Sequence, residues 1–184
     1  MIKYEFISAT EAHEKLRELG DVLQACVKEG ASVGFTHPDD RQAIDRFWKD
    51  KVNGLASNEC ELLIARDDDS LVGTVMINYC GMPNGSHRAE ISKLLVHPHA
   101  RRQGIARQLM NQAEQRAWEK GLSLLILDTR SGDVASTLYL SLAWQIAGSI
   151  PCYAESIENT LDATTYMYKM GHTIKVLTAG QGSC

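Results

Sequence analysis

Arg101-Arg102-Gln103-Gly104-Ile105-Ala106-Arg107 stands between the apolar run Ile91-Ser92-Lys93-Leu94-Leu95-Val96 and a stretch of helix formers that begins near Gln103. Strand, short basic loop with a glycine, helix: this order gathers free backbone N–H groups, the positive end of a helix and several arginines at one point. Such a point suits a pyrophosphate. Gly104 lets the backbone come close to a phosphate, and Ala106 keeps the first helical turn small. The N–H groups of residues 102 to 106 have no intrahelical acceptor, and Arg101, Arg102 and Arg107 add charge-assisted donors. Neither common nucleotide loop, G-x-G-x-x-G or G-x-x-x-x-G-K-[ST], occurs in the chain. A solvated basic helix start is the plain alternative. The apolar strand in front and the amphipathic helix behind favour the ligand.

The wider composition makes this basic point a local feature of an acidic protein. The net charge of -4 argues against nucleic acid as a partner, which would need a basic surface. A length of 184 residues is most simply one domain with a real core, expected over residues 1–170, followed by a tail at 171–184 that is partly ordered at best. Cys26, Cys60, Cys80, Cys152 and Cys184 are odd in number, widely spaced and without C-x-x-C, which reads as free thiols in a reducing compartment. No Cys/His spacing suggests a metal site. The N-terminus has no signal-peptide architecture and no run approaches a membrane span, so a cytoplasmic protein without membrane contact is expected.

The periodicities give the element order. Residues 2–7 read as a strand, and 9–29 as an amphipathic helix with Leu16, Leu19, Leu23 and Val27 on one stripe. A loop at 30–35 precedes a helix after Pro38. Cys60 to Arg66 and Leu71 to Tyr79 read as an antiparallel pair joined by an acidic turn. A turn-rich connection at 81–86 leads into a strand at 88–96, then the basic loop and a helix near 103–120. Leu122 to Leu127 reads as a buried strand ending in Asp128. A helix at 133–143 and strands near 145–149 and within 164–169 follow. A meander followed by strand–helix–strand–helix predicts a mixed α/β (α+β) fold, with a central, mostly antiparallel sheet and helices on both faces.

R-x-x-G-x-A in this setting resembles the coenzyme A pyrophosphate loop of the GNAT superfamily of N-acetyltransferases, and the element order matches that fold independently. The resemblance implies acetyl-CoA as cofactor, held by Arg101 to Arg107 and by the backbone of Leu94, Leu95 and Val96. It implies that the strand at 88–96 bulges and splays from its parallel neighbour, admitting pantetheine, and that the Leu94 N–H faces the thioester carbonyl as an oxyanion donor. Plain sheet pairing is the alternative at this strand.

Amine acetylation also needs proton transfer. An amine with a pKa of about 10.4 is only about one part in 2500 neutral at pH 7, so activating it costs roughly 4.6 kcal/mol and a nearby carboxylate helps. Glu90, eleven residues before Arg101, matches where histone-type GNAT enzymes place their base. Asp128 closes the apolar strand that faces the splay. Each has an ordinary alternative: Glu90 could pair with Arg88 or Lys93, and Asp128 could cap the turn at 129–132. Tyr139, eleven residues after Asp128, falls where many GNAT enzymes place a tyrosine that protonates the departing thiolate, its alternative being a core aromatic. His97 and His99 read as solvated loop residues, and Cys152 as no nucleophile.

The segments Gly30 to Phe35, Pro83-Asn84-Gly85, Arg88-Ala89-Glu90, Lys93-Leu94, Arg107 to Met110, Leu127-Asp128-Thr129 and Pro151-x-Tyr153 resemble the tabtoxin-resistance family of toxin acetyltransferases. That likeness implies a small amino-acid-like toxin or antibiotic as the amine acceptor, with Asp128 as base and Tyr139 as acid. Phe35, Asn84, Trp144 and Tyr153 are then expected to wall the acceptor site. Gly132 and Ala143-Trp144 depart from the usual GNAT residues, and the segment after Ala154 matches weakly. A protein N-terminus or lysine as acceptor, and a non-catalytic acyl-CoA-binding module, are the competing functions. A monomer and a homodimer both fit.

Overall fold

The computed structural model describes residues 1–171. Of the tail expected at 171–184, residues 172–184 lie outside the described residues. Strand β1 (Ile2–Ile7) leads to a helix pair, α1 (Ala9–Glu14) and α2 (Leu16–Lys28). Ser8 starts α1 with a capping box, its hydroxyl accepting from the Glu11 N–H while the Glu11 carboxylate takes the Ser8 N–H. The single helix expected over 9–29 pauses at Lys15, where φ is -99° and ψ 9° and one N–H is shared by the Glu11 and Ala12 carbonyls. Helix α3 (Arg41–Ala56) starts on an Asp40 cap, three residues beyond the expected proline start.

A hairpin of β2 (Cys60–Asp67) and β3 (Ser70–Tyr79) precedes β4 (Arg88–Val96). Then come α4 (Ile105–Glu119), β5 (Leu124–Arg130), α5 (Val134–Ser141), β6 (Gln145–Glu155) and β7 (Leu161–Met170). The seven strands form one sheet in the order β1-β2-β3-β4-β5-β7-β6. Every pair is antiparallel except β4–β5. Strand β5 begins two residues later than the apolar run suggests and continues through Asp128, which pairs with Tyr166 of β7 and so lies inside the strand. Strands β6 and β7 are also longer than expected. Strand β6 is the exposed sheet edge, so its sequence carries little of the buried alternation that marks a strand.

Alternation along the strands divides the core into two layers. Ile91, Leu125 and Leu127 pack with Leu109 and Met110 of α4, whereas Leu62, Ile64 and Met76 pack with Leu19 and Leu23 of α2 and Trp48 of α3. Residues of β4 and β5 that face α1–α3 therefore include Glu90 and Asp128, and those facing α4–α5 are apolar. Among the described residues no helix is long and apolar enough to cross a membrane.

Candidate active site

Strands β4 and β5 pair only at Arg88–Leu124, Ala89–Leu125 and Glu90–Ile126. Beyond Glu90 the two strands part, although β4 runs on to Val96 and β5 to Arg130. The cause is local. Between Thr74–Leu95 and Met76–Ser92 the β3–β4 register slips, so Lys93 and Leu94 face Val75 alone. Lys93 takes a left-handed φ of 51°, and the Thr74 hydroxyl donates to its carbonyl at 2.8 Å, tying the bulge down. The result is a cleft of about 350 Å³ whose edge is the unpaired backbone of β4, Leu94 included.

At the far end of β4 the basic loop forms a cup. Arg102 at φ 62° and Gly104 at φ 78° are both left-handed, and Gly104 caps α4 without a side-chain bond. The first α4 bond runs from the Gln108 N–H to the Gly104 carbonyl, which leaves the N–H groups of 102–107 without an acceptor among the described residues. Alternating left-handed turns of this kind collect N–H groups into an anion-binding nest. The loop's side chains are not equivalent. Arg101 turns back to donate through Nε to the Val96 carbonyl at 3.3 Å and stands 4.0 Å from Glu29. Arg107 donates to the Ser141 hydroxyl at 2.8 Å, bridging α4 to α5. Ile105 is buried and anchors the helix, while Arg102 and Gln103 are exposed.

Glu90 and Asp128 both line the cleft on the α1–α3 face. Neither forms an ion pair among the described residues, so the pairing of Glu90 with Arg88 or Lys93 does not occur. Asp128 accepts the Thr164 hydroxyl at 2.9 Å across the β5–β7 pair and does not cap the 129–132 turn. Tyr139 reaches the same cleft from α5. Its ring packs against Trp144 at 6.2 Å, and its hydroxyl has no protein partner among the described residues. Burial, then the charges of Asp133 and Asp128, raise its pKa well above the usual phenol value. On the opposite wall Tyr153 and Tyr166 share a 2.8 Å hydroxyl bond, which pushes Tyr166 up to about 12.

The Acetyltransferase (GNAT) family profile matches residues 22–142, two-thirds of the chain. The chain belongs to the GNAT acetyltransferase family. It is 31% identical over 117 residues to an uncharacterized N-acetyltransferase from the hisH-hisA intergenic region of Azospirillum brasilense, covering 62% of this chain and 68% of that protein. Among solved structures it is similar to a ribosomal-protein-alanine N-acetyltransferase from Brucella melitensis, with a TM-score of 0.74, 18% identity and coverage of 91% and 99% of the two chains. The yncA structure from Salmonella typhimurium, solved with its cofactor acetyl-CoA, gives a TM-score of 0.74 at 14% identity over 92% and 94%. At those identities the structural likeness establishes the fold.

As a GNAT enzyme the chain is an acetyl-CoA-dependent N-acetyltransferase, and its geometry fits that donor. The nest at 102–107 suits the pyrophosphate, and the unpaired edge of β4 suits an amide-bearing arm that pairs like a strand. Of the residues expected to wall the acceptor site, Tyr153 lines the cleft, but three do not. Trp144 lies in the core at 2% exposure, its indole N–H donating to Glu114 at 2.7 Å. Phe35 stacks edge-on against Phe47, 5.6 Å away, and is not part of the cleft lining. Asn84 lies exposed in the turn between β3 and β4. The wall is formed instead by the 31–34 loop and by Lys93, Arg130 and Thr164. Lys93, Arg130 and Thr164 are not legible as site residues, because a polar residue in a strand reads as a solvated face. The lone lysine inside the apolar run 91–96 was the available signal.

Proposed function

We propose that this GNAT enzyme acetylates the primary amine of a small molecule, of the kind found in amino-acid-like toxins and antibiotics, in a reducing cytoplasm where its cysteines stay free. The observation that carries the reading is the shape of the cleft. The 31–34 loop on one side and Tyr153 on the other bound a cleft of about 350 Å³ that has to take the acetyl end of the donor as well, which leaves room for a small amine where an open acidic groove would suit a polypeptide. The sequence likeness to toxin acetyltransferases points the same way.

Acetyl-CoA supplies the activated acetyl thioester. Asp128 and Glu90 stand where the acceptor ammonium enters, and one of them takes its proton so that the nitrogen pair is free to attack. The Leu94 N–H, on the unpaired edge of β4, offers a donor to the carbonyl oxygen as charge gathers there. Tyr139, on the other face of the sheet, returns a proton to the sulfur as the carbon–sulfur bond breaks. Arg101 and Arg107 act indirectly: the first holds the end of β4, the second holds α5 against α4.

Release of free thiol from acetyl-CoA across a library of primary amines tests the reading. We expect turnover on at least one small amine and its loss, about 100-fold or more in kcat/KM, in Asp128→Asn or Glu90→Gln. Turnover confined to peptides and protein N-termini would overturn the acceptor class, and acetyl-CoA binding without turnover on any amine would overturn catalysis.

A further inference from the structure

Lys15, Lys28, Lys120 and Lys169 each form an ion pair. Lys3 and Lys49 stand in solvent, where an unpaired ammonium is fully hydrated. Lys93 and Lys51 differ from both groups. They are half-buried and have no carboxylate partner among the described residues. Both ammonium groups lie over the ring of Phe47, Lys93 at 5.1 Å from the centroid and Lys51 at 5.6 Å. Burial, then the nearby charge of Lys51, lowers the pKa of Lys93, against the pull of Asp128 and Glu90.

Lys93 lines the cleft with those two carboxylates. The other cation on the cleft wall, Arg130, is already committed to Asp133, Asp162 and the Gly30 carbonyl. Lys93 is also the residue at the apex of the β4 bulge, held at a left-handed φ that costs a non-glycine residue backbone energy. A ring face offsets part of the desolvation of an ammonium, but two like charges around one ring still lack a counter-ion.

We infer that Lys93 receives a carboxylate carried by the acceptor itself, so that the acceptor is an amino acid whose amine faces Asp128 and Glu90 while its acid group pairs with Lys93. Lys51 adds to the field from behind. This inference rests on the small-amine reading above and narrows it. Charges of both signs within one cleft orient a zwitterion and exclude polyamines, whose second cation would meet Lys93.

The test compares acetylation of free α-, β- and γ-amino acids with their carboxamides and their decarboxylated amines, read as thiol release. Calorimetric binding of the best amino acid serves as a second readout. The wild type is expected to favour a free acid over its amide and its bare amine by about 100-fold in kcat/KM. Lys93→Met should remove that preference, chiefly through KM and with weaker acid binding. Lys93→Arg should keep most of it, and Lys51→Met should lose about threefold to tenfold. Thermal melting separates a misfolded Lys93→Met from a folded one, and Lys51→Met provides the same readout from a second position. Equal turnover of acid and amide by the wild type, or an undiminished acid preference in folded Lys93→Met, would overturn the assignment while leaving the small-amine reading in place. No turnover of any member would defeat both.

Discussion

Tyr139 belongs to the α4–α5 layer and Asp128 and Glu90 to the α1–α3 layer, so the two proton transfers proposed here occur on opposite faces of one splayed sheet. On its own face Tyr139 is buried, which favours the neutral phenol. A phenol raised by burial and by nearby aspartates stays protonated across the neutral range and beyond pH 10, ready to donate. Tyr139→Phe is therefore expected to lower kcat about 100-fold at neutral pH with little change in KM for acetyl-CoA; a loss within threefold would remove the general-acid role. The same shift has a stability consequence. Because the folded-state pKa is raised, its contribution is complete below the unfolded phenol value near 10 and is lost as pH rises beyond it. The difference in unfolding free energy between wild type and Tyr139→Phe should accordingly shrink above about pH 10, which denaturant melts at pH 8 and pH 10.5 would show. Asp128 and Tyr139 could be placed in one cleft from the sequence because an apolar strand carries the first and the helix that follows it carries the second, eleven residues on. Lys93 and Thr164 could not, because their meaning depends on which strand lies opposite. Trp144 misleads for the same reason: its indole is satisfied by Glu114, thirty residues away, and no local pattern shows that.

Order along the chain was more legible than the breaks within its elements. The strand, basic loop and helix at 91–119 could be read directly, since apolar alternation, a glycine and helical periodicity follow one another there. The pause at Lys15 and the slip at Thr74/Met76 could not, because both are set by packing between elements rather than by residue preference. The basic loop carries its own prediction. A Cβ on Gly104 would meet nothing within 4 Å, so the constraint there is the φ of 78° and not space. Gly104→Ala should cost about 1 kcal/mol through left-handed strain and weaken acetyl-CoA about tenfold by disturbing the nest. Gly104→Glu adds a like charge where the pyrophosphate is proposed to lie and should weaken binding more than 100-fold. Calorimetric titration with acetyl-CoA measures both, and unchanged affinity in Gly104→Glu would remove the loop from the cofactor site.

Across the whole molecule, one buried carboxylate links the elements that build the site. Glu114 of α4, at 5% exposure, accepts the Trp144 indole N–H and the Lys169 ammonium, and Lys169 also donates to the Leu142 carbonyl at the end of α5. Helix α4 opens at the basic loop, α5 carries Tyr139, and β7 carries Thr164 beside Asp128. The network therefore joins the donor loop and both walls of the cleft through the core, with the Arg107–Ser141 bond as a second tie. Removing one partner leaves the other buried and uncompensated, whereas replacing both with apolar residues of similar size restores packing. Glu114→Ala is expected to destabilise the protein by about 3–5 kcal/mol. The double change Glu114→Met with Lys169→Met should recover at least half of that loss, although Trp144 keeps an unpaired N–H. Urea midpoints for the single and double variants give the comparison. A single-variant cost below about 1 kcal/mol, or a double variant no better than the sum of its parts, would mean that solvent reaches the pair and that α4, α5 and β7 are held together by apolar contact alone.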